Sequence, residues 1–256
     1  GLPSLLVLRT SEEGLPVAEF YGWQDGQMGI AYRCTLSSTM AALSRGSLVS
    51  GKMDADTPAM FITGVDERGV AVTDILIFRP EVGLVNVALD GSSGVSAAIF
   101  PYRQLQPQDI DGDGCIEIPR PEDTWSADQT DGLVSWLRCV DDGRLAIAGQ
   151  TYHSTSCGWY LTVPASWWAW NVEAATTGIQ NENQFTMTIN GDPVLSIYTI
   201  TGENRETRGR MGTRIVLRRQ TATVYAAELY DAGVYYGMNE ELLRKSFSLI
   251  TGSWIN

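Results

Sequence analysis

Two stretches of this chain, 55 residues apart, carry the same pattern, and a repeat of that length restricts the fold more than composition does. Ser4-Leu5-Leu6-Val7-Leu8 aligns with Ala59-Met60-Phe61-Ile62-Thr63. Without a gap, Glu13-Gly14 then falls on Arg68-Gly69, Val17 on Val72, Glu19 on Asp74, and Phe20-Tyr21-Gly22-Trp23 on Ile75-Leu76-Ile77-Phe78. Each copy reads as strand, acidic glycine turn, strand. A third copy follows if Ile116-Glu117-Ile118 is the next inner strand. Apolar alternation adds strands at 28–33, 83–89, 96–102, 133–140 and 144–153, the last two joined by Asp141-Asp142-Gly143.

Repeats of this length with about four strands each suggest propeller blades, yet three blades do not close a ring of roughly four to eight. Residues 1–156 therefore read as incomplete, propeller-like antiparallel β blades, either a fragment of a larger propeller or an open array of sheets. The first copy starts almost at Gly1, which favours the fragment.

Residues 157–256 read differently. Strands are expected at 157–163, around 171–176, and at 184–189, 194–199, 214–218 and 223–229, with Asn190-Gly191-Asp192 as a hairpin turn. Asn239 then precedes a helical pattern over 240–250, an N-cap with an acidic first turn, in which Leu242, Leu243, Phe247 and Ile250 face a sheet. The fold class is thus mainly β, with a small α+β second domain: an antiparallel sheet and a C-terminal helix.

The stretch with the clearest chemistry is Asp109-Ile110-Asp111-Gly112-Asp113-Gly114-Cys115-Ile116-Glu117. Carboxylates at alternate positions, with a glycine that permits a sharp turn, let a short arc of backbone aim several oxygens at one hard cation. Calcium is the natural candidate, in a structural rather than catalytic role. The spacing resembles the calcium loop of FG-GAP repeats, the blades of integrin alpha-chain propellers. That resemblance implies Asp109, Asp111, Asp113 and Glu117 as ligands, with the Cys115 carbonyl between them. The first six positions also resemble an EF-hand loop, but the twelfth is Arg120 and no helical pattern flanks the loop. In the second region, the order of strands, Val163-Pro164-Ala165-Ser166-Trp167 and a terminal amphipathic helix is similar to the PsbP-like fold, a largely non-catalytic family with bacterial relatives.

Other candidates carry less. His153 is the sole histidine, so a Ser-His-Asp or Cys-His system would have to use it, and sequence adjacency to Ser154, Ser156 and Cys157 is not the required geometry. With 30 acidic residues, some carboxylate pair suited to glycoside hydrolysis is always available, and the signal is nearly empty. Trp167, Trp168 and Trp170 could stack on a sugar or anchor a protein; core anchoring is the plainer reading. Arg205, Arg208 and Arg210, with Arg214, Arg218 and Arg219, could receive an anionic ligand or simply charge a solvated hairpin. Cys34, Cys115, Cys139 and Cys157 lack zinc-site spacing and read as free thiols.

A net charge of −12 and a pI near 4.5 argue against nucleic-acid and anionic-membrane binding. No apolar run reaches the ~20 residues needed to cross a bilayer. The expectation is a non-catalytic, extracytoplasmic binding or scaffold module of bacterial surface-protein type, stabilised by calcium. It would bind a protein or glycan, and could belong to a longer membrane-anchored chain whose targeting segment lies elsewhere. A carbohydrate-processing enzyme, a carbohydrate-binding module and a purely structural spacer are the alternatives.

Overall fold

The computed structural model describes residues 4–101, 105–122, 131–141, 143–170 and 172–250, and the side chains of 42–47 and 141 are outside that description. Tyr102, Asp142, Asn171 and residues 123–130 lie outside the described residues. The chain is mainly β. Among the described residues, eighteen strands form four open antiparallel sheets, none of them closed into a barrel, and three short α-helices accompany them.

Two compact units divide the chain. The first holds 4–101, 105–122, 134–141 and 143–149; the second holds 131–133, 150–170 and 172–250. The expected boundary at 156/157 falls shortly after this division, which passes through two strands, β10 (Asp131–Asp141) and β11 (Arg144–Ser154).

In the first unit, β1 (Leu5–Thr10), β2 (Pro16–Gln24) and β3 (Gln27–Thr35) form a three-stranded meander. A second sheet contains β4 (Ala42–Lys52), β5 (Pro58–Val65), β6 (Ala71–Arg79) and β7 (Gly83–Asn86), with β8 (Ala98–Phe100) also pairing β6. The repeat is visible in the register. Leu5 faces Tyr21 across β1–β2, and 55 residues later Met60 faces Leu76 across β5–β6. The turns match as well: Gly14 and Gly69 both have φ near +80° and donate to Ser11 and Asp66, as the repeat requires.

Side-chain alternation explains the near-continuous apolar runs of β5 and β6, because both faces of this sheet are covered. Ala59, Phe61, Ile75 and Ile77 pack in one cluster with Ile116, Ile118 and Cys139. Met60, Ile62, Val72 and Leu76 pack in another with Leu6, Leu8, Ala18 and Leu36 of the first sheet and its exit loop. The third copy departs from the register. Its inner strand is β9 (Ile118–Pro121), which pairs with β10 from Leu137↔Ile118 to Val134↔Pro121, while Cys115 and Glu117 form isolated bridges ahead of it.

In the second unit, β12 (Trp159–Thr162) pairs with β11 and with β18 (Phe247–Leu249). A second sheet has the order β13 (Val172–Ile179), β14 (Glu182–Ile189), β15 (Asp192–Ile200), β17 (Val224–Leu229), β16 (Ile215–Arg219). The Asn190-Gly191 turn has positive φ at both residues, as a tight hairpin of this hand needs. Trp159, Leu161, Trp167, Phe185, Met187, Ile197, Leu243 and Phe247 share the core of this unit.

Sequence and structure differ in places. Strand β4 and the helices α1 (Arg205–Arg208) and α2 (Asp231–Tyr235) have no counterpart in the sequence reading. In α2, Gly233 suppresses a helical signal for a packing reason: a Cβ there would lie 2.2 Å from the Val194 carbonyl oxygen on β15. The terminal helix α3 (Glu240–Ser246) is capped as expected, Asn239 Oδ1 accepting from Leu242 N, but it ends at Ser246. Phe247 then leaves the helix to pair with Leu161, because an edge of β12 is available to the apolar residues that follow.

Candidate functional site

The acidic loop sits in the first unit, immediately before β9. Asp109 turns back into its own loop: Oδ1 accepts from Gly112 N at 2.7 Å and Asp113 N at 3.1 Å, and Oδ2 accepts from Gly114 N at 2.9 Å. Gly112 and Gly114 have φ of 81° and 88°, conformations that side-chain-bearing residues rarely adopt. The base of the loop is closed by reciprocal bonds between Gln108 and Glu117, and Ile116 N donates to the Lys52 carbonyl at the end of β4.

These constraints bring carboxylate oxygens of Asp109, Asp111 and Glu117 within 4.8 Å of one another. Asp109 and Asp111 face solvent while Glu117 is fully buried, so the set forms a small cup with a charged floor. Asp113 stands outside this set. Its Oδ1 accepts from Cys115 N at 2.9 Å and its Oδ2 lies 2.8 Å from Arg138 Nη2. Cys115 enters the loop through its backbone, and its thiol is buried.

Sequence reading missed Arg138, on β10. Its Nε donates to Glu117 Oε1 at 2.9 Å, its Nη2 also contacts that oxygen, and Asp111 Oδ2 is 3.7 Å away. Nothing local marks this residue, because 21 residues separate it from Glu117. Burial pushes the Glu117 carboxyl above its usual range despite the arginine. Burial pulls the Arg138 guanidinium down, but the carboxylates of Glu117 and Asp113 outweigh it and leave its pKa raised. The Cys115 N–H is the leading cause that lowers the Asp113 pKa.

An all-carboxylate set fits a hard cation such as calcium or magnesium. Asp109, Asp111 and Glu117 would hold it, and its chemistry would be charge neutralisation at the entry to a strand. Arg138 already brings positive charge to the same oxygens, so a bound cation would share them with the guanidinium or displace it.

The remaining sequence candidates disperse. Trp167 is fully buried and its Nε1 donates to the Tyr236 carbonyl, which makes it a core anchor and not a ligand platform. Trp168 is partly buried, bonded to the Val163 carbonyl. Trp170 alone of the three is exposed, at 47%, where it meets Tyr236 and, through it, the exposed Tyr235, two rings the sequence reading passed over.

The arginines are largely committed within the second unit. Arg208 and Arg214 converge on Glu182 at 2.9 and 2.8 Å, and Arg214 lies over the Tyr198 ring. Arg205 donates to the Gly202 and Thr221 carbonyls, and Arg219 pairs with Glu206. Arg210 faces solvent. His153 is buried, bonded through Nε2 to Thr151 Oγ1, and burial pulls its pKa down to about 3. The four described cysteines are free thiols.

No family model matches the chain, and no curated protein and no solved structure matches it.

Proposed function

We propose that this chain is a non-catalytic binding or scaffold module of an extracytoplasmic bacterial surface protein. Its first unit is a propeller-like stack of FG-GAP type and its second is PsbP-like, with calcium held by the loop of Asp109, Asp111 and Glu117. The observation that carries this reading is the convergence of three carboxylates on a loop clamped between β4 and β9. Ion binding there would fix the entry to a strand, a structural role, and calcium at extracellular concentration suits a loop of modest affinity.

The repeat supports the scaffold half of the reading. Met60, Ile62, Val72 and Leu76 are the residues by which the second sheet packs against the first. Their equivalents one repeat earlier, Leu5, Val7, Val17 and Tyr21, lie on the other face of the first sheet, around the Arg9–Glu19–Arg33 ion pairs; Val17 and Glu19 are buried there, while Leu5, Trp23, Met28 and Ile30 are 42–52% exposed. The exposed apolar end of that face, Leu5, Trp23, Met28 and Ile30, is of the kind buried elsewhere in the same chain and suits docking onto another β-sheet.

The test is calorimetric titration of metal-stripped protein with calcium, beside Asp111→Ala, with thermal melts of both. Heat of binding and a calcium-dependent rise in Tm in the native chain alone support the proposal. No heat, or equal responses in the two proteins, would reduce the loop to an acidic turn braced by Arg138.

A further inference from the structure

Between the first and second sheets of the first unit lies a cavity of about 410 Å³. Phe20 and Tyr32 line it from one sheet; Met60, Leu76, Phe78 and Leu84 line it from the other. Its size falls within the ~300–1,000 Å³ of small-molecule sites. The two sheets pack closely through Leu6, Ala18, Ile62 and Val72, and the aromatic side chains take over at the cavity.

The aromatic wall is fixed by backbone geometry. Tyr32 meets Phe78 edge to face at 5.0 Å, and Phe20 stands 6.4 Å behind it. Tyr32 can lie there because Gly83, at φ 89°, has no side chain: a Cβ would approach the ring to 2.7 Å. Tyr32 and Phe78 are 39% and 51% exposed, so the wall opens to solvent.

The lining also defines the ligand. None of the lining residues is charged, in a chain with 48 charged side chains, so an ion entering would lose hydration without gaining a counter-charge. Two lining residues, Tyr32 and Ser50, carry hydroxyls, and neither hydroxyl has a hydrogen-bond partner among the described residues. Aromatic edges and faces favour a planar ring over a flexible chain. We propose that this cavity binds an uncharged, planar ring compound bearing one hydroxyl or carbonyl group. The rings lie against Phe20, Tyr32 and Phe78, and the polar group meets the Tyr32 or Ser50 hydroxyl.

The experiment titrates the full chain with 2-naphthol, naphthalene, 2-naphthoate and 1-decanol by fluorescence or calorimetry. Saturable one-to-one binding of 2-naphthol is expected, with 2-naphthoate at least about tenfold weaker because of its buried charge. Removing both hydroxyls, by Tyr32→Phe with Ser50→Ala, weakens 2-naphthol about five- to tenfold and leaves naphthalene unchanged. Leu84→Trp fills the cavity and abolishes both; Phe78→Ala, at a half-exposed position, removes the wall and supplies the same loss should Leu84→Trp not fold. The proposal is overturned by absence of saturation with 2-naphthol, by naphthoate binding as tightly, by indifference to both cavity variants, or by 1-decanol binding more tightly than 2-naphthol.

Discussion

Asp74 offers a sharp test of how this fold handles buried charge. It is fully buried on β6, where Oδ2 accepts from Ser37 N at 2.7 Å and Oδ1 has no partner. Burial is the leading cause that raises its pKa from 3.8 to about 6, against the opposing bonds from Ser37 and Asn86. The folded state therefore holds a proton that the unfolded chain releases near pH 4. Stability is greatest below that value, falls as pH rises toward 6, and stays reduced above it. The full penalty is roughly 3 kcal/mol.

Asp74→Asn cannot ionise and keeps an oxygen for Ser37 N, but it places an amide NH2 where Oδ1 has no partner, at a cost of about 1 kcal/mol. The variant is thus expected to be about as stable as the native chain at pH 4.5 and more stable by about 2 kcal/mol at pH 8. Urea unfolding of both proteins at the two pH values reads this directly, because subtracting one from the other cancels every other titrating group. A difference that does not move between pH 4.5 and 8 would refute the argument. So would a variant that is the less stable at both. The repeat supplies an internal contrast: Glu19 occupies the same position one repeat earlier, where hydrogen bonds from Arg9, with Arg33 beside it, hold its pKa at about 2. Its contribution is present above the ordinary carboxylate range and is lost as pH falls toward 2, the reverse of Asp74.

Two further outcomes are expected. Arg138→Met removes the positive charge from Glu117, Asp113 and Asp111, so it lowers Tm in metal-free buffer yet enlarges the calcium-induced rise, read by thermal melts with and without calcium; a smaller calcium response than the native chain's would show that arginine and ion do not compete. Gly51→Ala drives a Cβ to 2.3 Å from Ile116 Cγ1 and should cost about 1–3 kcal/mol in urea unfolding, partly recovered by adding Ile116→Ala; a neutral Gly51→Ala would show that β4 and the loop strand can separate at no cost.

The parts of the fold legible in the sequence were those set by local pattern. The 55-residue repeat fixed the β1–β2 and β5–β6 hairpins because identical turn chemistry and alternation impose identical register. Asn190-Gly191 and Asn239 announced a turn and a cap for equally local reasons. What escaped was decided by contacts distant in sequence. Phe247-Ser248-Leu249 continues a helical apolar spacing, and only the free edge of β12 turns it into a strand. Helix α2 likewise depends on a distant contact, since Gly233 is what lets it approach Val194.

The site divides along the same line. Asp109, Asp111 and Glu117 were legible because a loop ligand set is written in consecutive spacing, and the structure brings those three together. Asp113 has the same spacing, but Arg138 draws its carboxylate away, and the partner that does so lies on another strand. The arginine also changes what the loop is. Without it, four carboxylates on one short arc would repel each other and need an external cation to fold. With it, the loop has a resident counter-charge and can fold first, so any ion would tune an arrangement already in place. Any response of the loop to calcium would then turn on the competition between an ion and one guanidinium, which sits at a strand position that no motif includes.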